Sequence, residues 1–322
     1  MSFAPSRVLV TGATGFVGRH LLAALRAAFP AAGLVPAARA GDADAGGGAA
    51  VRAFDLTDAE GVAALVAEVR PDACVHLAAA SAVAESFSDP DAAWWANVDG
   101  TRALAGALMR HAPGCRLIHV SSGEVYGLSF NDGAPLDERA PLRPANPYAA
   151  AKAAADLALG EMALRGLRVV RLRPLNHVGP GQSPRFAVAS FARQIARIEA
   201  GAQPPVVRAG ALDRERDFLD VRDVCDAYVS ALARADALPA GAVLNIASGR
   251  LRRMGDVLAD LLRIAGVRAE VEQEPAALRP TDLAATPCSA DAARAALGWA
   301  PRRDWDATLA EILSSWRAEA RA

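Results

Sequence analysis

Cysteine is scarce. Cys74, Cys115, Cys225 and Cys288 are the 4 found among 322 residues, and no two form a CxxC pair. Neither a zinc site nor a dithiol redox motif is expected, and reduced thiols suit a cytoplasmic protein. Charge of one sign is missing as well. The 36 acids and 35 bases leave a formal net charge of −1, so no basic surplus suggests nucleic acid or an anionic membrane as partner. No apolar run approaches the roughly 20 residues of a membrane span. The start, MSFAPSRVLVTG, enters a strand-like run with no stretch of signal-peptide length. The 5 histidines lack ligand spacing, which predicts no metal site, and internal repeats are absent. What remains is a chain that is 52% hydrophobic and long for a single core, expected to form one large domain or two.

Short apolar runs alternate with alanine-rich helical stretches. RVLVTG (7–12) precedes a helix with Leu21, Leu22, Leu25 and Phe29 on one side. VRAFDL (51–56), ACVHLA (73–78), RLIHVSS (116–122) and LRVVRLRP (167–174) are further strand candidates. Such runs, separated by helices, predict parallel strands covered on both faces: a doubly wound α/β fold with ligands beyond the carboxyl ends of its strands. After residue 175 the rhythm loosens. NHVGPGQSP (176–184) reads as a loop, followed by a helix near 185–200 and a strand near Val206. The expected division is a cofactor domain of 1–175 plus 218–247 and a smaller discontinuous substrate domain of 176–217 plus 248–322. GDADAGGGAA (41–50) reads as a flexible surface loop.

VLVTGATGFVG places Gly12, Gly15 and Gly18 between the first strand and the first helix. Glycines there allow a tight turn and close approach of a pyrophosphate to free helix N–H groups. The spacing is GxxGxxG rather than GxGxxG. The end of the second strand, LVPAARAG, has no acid for a ribose 2′-OH but carries Arg39, which favours NADP(H) over NAD(H). Pro36 is awkward inside a central strand. Asp55 and Leu56 are placed to border an adenine, although Asp55 equally suits a turn.

NPYAAAKAAADLA (146–158) holds the second constellation. Asn146 is a good N-cap and Pro147 suits the first helical position. Tyr148 and Lys152 then lie one turn apart on one face. A phenol with pKa near 10 is a poor acid or base at neutral pH, and a nearby ammonium lowers it. Ser121 and Ser122 stand at the end of a strand, where a hydroxyl can align a carbonyl. Together these groups suit proton transfer to a carbonyl oxygen while a hydride reaches its carbon. Trp94 and Trp95 read as core or interface, His76 and His119 as packed, and His177 as a residue that orders its loop.

TGATGFVG, DLTD, HLAA (76–79), NVDGT (97–101), SSGEVYG, PYAAAK and LRPLNHVGPGQ together resemble the extended short-chain dehydrogenases/reductases of the nucleotide-sugar epimerase and dehydratase group. The resemblance implies a Rossmann domain whose cofactor touches Phe16, Val17, Leu77, Ala78, Ala79 and Asn97 besides the residues above. It implies that Ser122, Tyr148 and Lys152 are catalytic, with the lysine also holding the nicotinamide ribose. The later segments resemble a branch that reduces the C4 ketone of GDP-4-keto-6-deoxy-D-mannose. They imply that Asn176, Arg216 and Arg279 contact the nucleotide diphosphate. Glu124 argues back: in sugar 4,6-dehydratases, a glutamate at this place removes the C5 proton. Some of those enzymes pair it with an aspartate where this chain has Gly123. A dehydratase or epimerase that recycles NAD(P) thus remains open beside the reductase, and a non-enzymatic cofactor sensor stands further off. The resemblance also implies a homodimer through helices near 90–112 and 147–164.

Overall fold

The computed structural model describes residues 3–41, 50–81, 83–274 and 283–321. In chain order the first half contains β1 (Arg7–Thr11), α1 (Phe16–Ala28), β2 (Gly33–Ala38), β3 (Arg52–Ala53), α2 (Ala59–Val69), β4 (Ala73–His76), α3 (Val83–Ser88) and α4 (Pro90–Trp94). A π-helical stretch, Trp95–Gly100, joins α4 to α5 (Thr101–His111), and β5 (Arg116–Val120) and α6 (Pro147–Leu164) follow. Then come β6 (Val169–Pro174), β7 (Asn176–Val178), α7 (Ala187–Glu199), β8 (Val206–Ala209), β9 (Glu215–Asp220), α8 (Val221–Ala233) and β10 (Ala242–Ile246). The chain closes with β11 (Leu251–Arg253), α9 (Met254–Ala265), β12 (Glu270–Gln273), α10 (Asp291–Leu297) and α11 (Trp305–Ala320).

Seven parallel strands form the main sheet in the order β10-β6-β5-β4-β1-β2-β3. The chain winds outward through β2 and β3, then returns to β4 on the other side of β1. The switch point lies between β1 and β4, where open α/β sheets leave a crevice for ligands. One face of the sheet packs on α1 and α8, the other on α2, α5 and α6. A third core joins α7, α9 and α11 to two small sheets, β11-β9-β7 and β12-β8.

Several sequence expectations change in detail. The strand expected over 51–56 shrinks to Arg52–Ala53, because Asp55 folds into a turn: its Oδ1 accepts from Thr57 N at 2.9 Å and Thr57 Oγ1 at 2.7 Å. That shortness explains Pro36. β3 pairs with Ala37 and Ala38 alone, so the proline sits where β2 is still an edge on that side. Asn176–Val178, expected as loop, is a strand because it pairs with Phe218–Asp220 of β9. The expected domain boundary at 217/218 falls inside β9, and Cys288, Ala290, Ala293, Leu297 and Trp299 pack into the first core. The low-complexity run 41–50 lies, apart from its first and last residues, outside the described residues.

α6 starts as its sequence dictates. Asn146 Oδ1 accepts from Ala149 N at 2.8 Å, and Pro147 takes the first turn. Ala149, Ala151, Ala153, Ala155 and Ala163 are buried, which lets the helix lie close to its neighbours. Trp94 and Trp95 are not core: they are 44% and 60% exposed.

Candidate active site

The glycine loop is a cradle. Gly12 has φ +71°, and a Cβ there would stand 2.8 Å from Ala78 N. A Cβ on Gly18 would meet Gly12 O at 2.3 Å, so the helix can close on the loop only without side chains. Gly15, the N-cap of α1, offers no side-chain cap and the first turn has no acid, leaving N–H groups and a positive helix end for an anion. Opposite, Leu77, Ala78 and Ala79 follow β4. Thr11 Oγ1 accepts from Ala78 N at 3.3 Å and also meets His76 Nδ1 at 2.7 Å. Asn97 is buried in the π-helical stretch, where its amide grips both backbone groups of Ala80 at 2.8 and 3.1 Å. The π stretch is what aims it, since it shifts the helix phase at the residues next to Leu56. Arg39 is exposed just past β2 and acts electrostatically on Asp55. These residues could hold a dinucleotide, and Arg39 stands beside the Asp55 turn.

The reacting groups gather beyond β5. Ser122 caps a single 3₁₀ turn, Gly123–Tyr126, and its Oγ accepts from Glu124 N at 3.1 Å. The Ser122 hydroxyl is near enough to the Tyr148 phenol to favour its ionised form. Burial is the largest influence on that phenol and pushes it up to about 12, against Ser122 and with the charge of Glu124. Tyr148 is therefore a protonated donor at neutral pH. Lys152 is buried, and Nζ donates to Val120 O at 2.6 Å. Burial pushes it down to about 8, with Asp156 opposing. The expected lowering of the phenol by this lysine is not met: burial, Ser122 and Glu124 are the influences on Tyr148, and Lys152 is not among them.

Asn146 Nδ2 donates to Glu124 Oε2 at 3.4 Å, which sets the carboxylate beside the start of the catalytic helix. Gly123 has a packing reason, since a Cβ there would stand 2.8 Å from Leu175 Cδ1. Any side chain at this position would have to displace the end of the Leu175 side chain.

On the substrate side, Asn176 is exposed at the start of β7. Arg216 is half-buried on β9 and Nη1 donates to Glu215 O and Leu283 O, each at 2.9 Å. Arg279 lies outside the described residues. No group of three potential metal ligands occurs among the described residues.

Three contributors escaped the sequence. Ser86 Oγ accepts from Tyr148 N at 3.1 Å, satisfying a donor that the first helical turn leaves open. Val120 O anchors the lysine. Asp156, fully buried, binds Arg173 Nε at 3.0 Å and Nη2 at 2.9 Å, and Arg171 Nη1 at 2.9 Å. The segment itself carries no signal for the last: α6 also holds the exposed Glu161, and nothing local tells the two acids apart.

A model described as the NAD dependent epimerase/dehydratase family matches residues 8–247. Over 316 residues the chain is 37% identical to GDP-6-deoxy-D-mannose reductase of Pseudomonas aeruginosa, covering 98% of both. The structure of RMD from Pseudomonas aeruginosa complexed with NADPH superimposes with a TM-score of 0.86 at 35% identity, covering 98% of this chain and 99% of that one. The NAD complex of Thermus thermophilus UDP-glucose 4-epimerase gives 0.84 at 29% identity, covering 97% and 99%.

Proposed function

The chain belongs to the NAD dependent epimerase/dehydratase family, and from that premise we propose that it reduces the C4 ketone of GDP-4-keto-6-deoxy-D-mannose with NADPH. The product is GDP-D-rhamnose or its C4 epimer, GDP-6-deoxy-D-talose, according to how the sugar is turned in the cleft. The observation that carries the reductase over its relatives is the full-length likeness to a GDP-6-deoxy-D-mannose reductase. The NADPH held by a structural neighbour agrees with Arg39 at the adenosine end.

Bound at the glycine loop, the cofactor supplies hydride for C4. Ser122 aligns the carbonyl, and the protonated phenol of Tyr148 gives its proton to O4. Lys152 is placed to hold the nicotinamide ribose with the donors not used on Val120. Asn176, Arg216 and Arg279 hold the diphosphate, where guanidinium forks match phosphate oxygens. The substrate part of the chain is 176–217 plus 248–322, with the Cys288–Trp299 stretch packed on the cofactor side.

Assembly as a homodimer fits the exposed face shared by the helices around α5 and α6. On α6, Leu157 and Leu164 are 59% and 89% exposed. The described residues include no helix long and apolar enough to cross a membrane, and the four free, buried cysteines suit the cytoplasm. A dimer mass by light scattering at micromolar concentration is the expected result.

Glu124 favours a second reading, a dehydratase or epimerase that recycles NAD(P), because its carboxylate acts on Tyr148 from within the site. One experiment separates the readings. NADPH absorbance at 340 nm is followed with fresh GDP-4-keto-6-deoxy-D-mannose, and NADH is run in parallel. Stoichiometric loss, faster with NADPH, is expected. Sugar conversion without net oxidation would place the recycling enzyme first, and no conversion of any nucleotide sugar would leave the cofactor sensor.

A further inference from the structure

The segment from His177, the middle residue of β7, to Gln182 is clamped onto the first turns of α1. The His177 ring lies parallel to Phe16, with centroids 6.2 Å apart and planes 7° from coplanar. Phe16 presents its other contact to His20, edge-on at 5.5 Å and 84°. His20 Nε2 then donates to Pro180 O at 3.0 Å, returning to the segment that carries His177. The circuit is thus closed: segment, ring, ring, ring, segment. Arg19, between the two α1 aromatics, ties Thr14 O at 2.9 Å to Gly181 O at 3.4 Å. The segment holds its own shape through His177 Nδ1, which meets Leu175 O at 3.0 Å, and Gln182 Nε2, which donates to His177 O at 3.0 Å. Farther along, Arg185 pairs with Glu85 of α3.

Phe16 is the first residue of α1, in the uncapped turn whose N–H groups are open to an anion. Whatever orders that turn also fixes the ring that His177 and His20 hold. Coupling of this kind needs no displacement. If one ligand has already immobilised the clamp, the second meets a loop that no longer loses freedom on binding. By linkage the gain is mutual, and such couplings run at about 5- to 150-fold.

We propose that His177 and His20 are positioning residues. Through Phe16 they couple occupancy of the glycine loop to the geometry of the 176–182 segment, so that dinucleotide and nucleoside diphosphate strengthen one another's binding. This rests on the reading of the first loop as cofactor cradle and of the second as a wall of the nucleotide-sugar site.

The test uses the full-length protein with NADPH and GDP as probes. Amide hydrogen exchange is measured over 175–183, and NADPH binding is followed separately by nicotinamide fluorescence. In the unaltered protein, saturating NADPH is expected to slow exchange there about fivefold or more and to lower the Kd of GDP by a similar factor. His20→Leu and His177→Leu should still bind NADPH but lose the loop protection and the GDP effect. In turnover they should raise KM for the nucleotide sugar while kcat stays within about twofold. His20→Gln, which keeps an N–H near the Nε2 position, should restore most of the protection. Unchanged exchange in the unaltered protein while fluorescence reports bound NADPH would overturn the proposal, as would full coupling in His20→Leu. Loss of the reductase assignment would show instead as NADPH bound, loop protected and no oxidation at 340 nm.

Discussion

Tyr148, Lys152 and Asp156 stand on one helix at four-residue spacing, whereas Asn176, Arg216 and Arg279 come from three separate segments. On the first wall the charges are buried and answered. Asp156 takes two arginines, and Arg173 continues to the Tyr126 hydroxyl at 3.0 Å, which donates to Asn245 Oδ1 at 2.7 Å. On the second wall Asn176 is exposed, and Arg216 is steadied by main-chain carbonyls that any sequence would supply. The difference separates two demands. Proton transfer tolerates little misplacement, and on the proposed reading its groups ride on a helix locked to the sheet. On the proposed reading, recognition of a particular sugar falls to exposed positions on short strands and loops.

Removing the donor gives the sharpest contrast between the walls. Tyr148→Phe should lower kcat by about 10²- to 10⁴-fold with little change in KM or melting temperature, read by steady-state kinetics and a thermal scan. Asp156→Ala attacks the same wall through its support. It leaves Arg171 and Arg173 buried without their carboxylate, and denaturant unfolding should show a loss of about 3–5 kcal/mol. Were the helix held by its alanines alone, the loss would be near that of a surface change. Arg216→Ala tests the other wall, with KM for the nucleotide sugar rising about 10- to 100-fold while stability hardly moves.

The smallest effect is in pH. Burial holds Lys152 near 8, so its charge is present below that pH and lost as pH rises through it. kcat/KM should fall toward tenfold per unit above about pH 8. Tyr148, held near 12, stays protonated across this range and contributes no limb. Lys152→Arg should abolish the limb, whatever activity it retains.

The same contrast governs what could be read from residues alone. The glycine loop and the Tyr148 helix were legible because each is contiguous: strand, turn and helix, or cap, proline and helix, follow one another in the chain. Gly12, Gly18, Asn146 and Pro147 all do what their local chemistry requires. Elements defined by a distant partner were not. Asn176–Val178 becomes a strand through β9, and Phe54–Leu56 leaves the sheet because Asp55 prefers its turn. The ion pairs of Asp156 join α6 to β6, and the Ser86 contact joins α3 to α6, so neither has a signature in any one segment.

One feature of the long helix beside the cleft sets a phase for everything before it. An α-helix turns by about 100° per residue, and the π-helical stretch Trp95–Gly100 carries surplus chain within a turn. Shortening this stretch by a single residue would restore the regular winding. It would also swing the preceding part of the helix about a quarter-turn around its axis. Asn97 would leave Ala80, and the two tryptophans would leave their outward face, in one step. Length is therefore constrained here as tightly as the identity of Asn97 and Gly100, where a Cβ on the glycine would stand 2.5 Å from Leu56 O: the stretch works as an indexing notch.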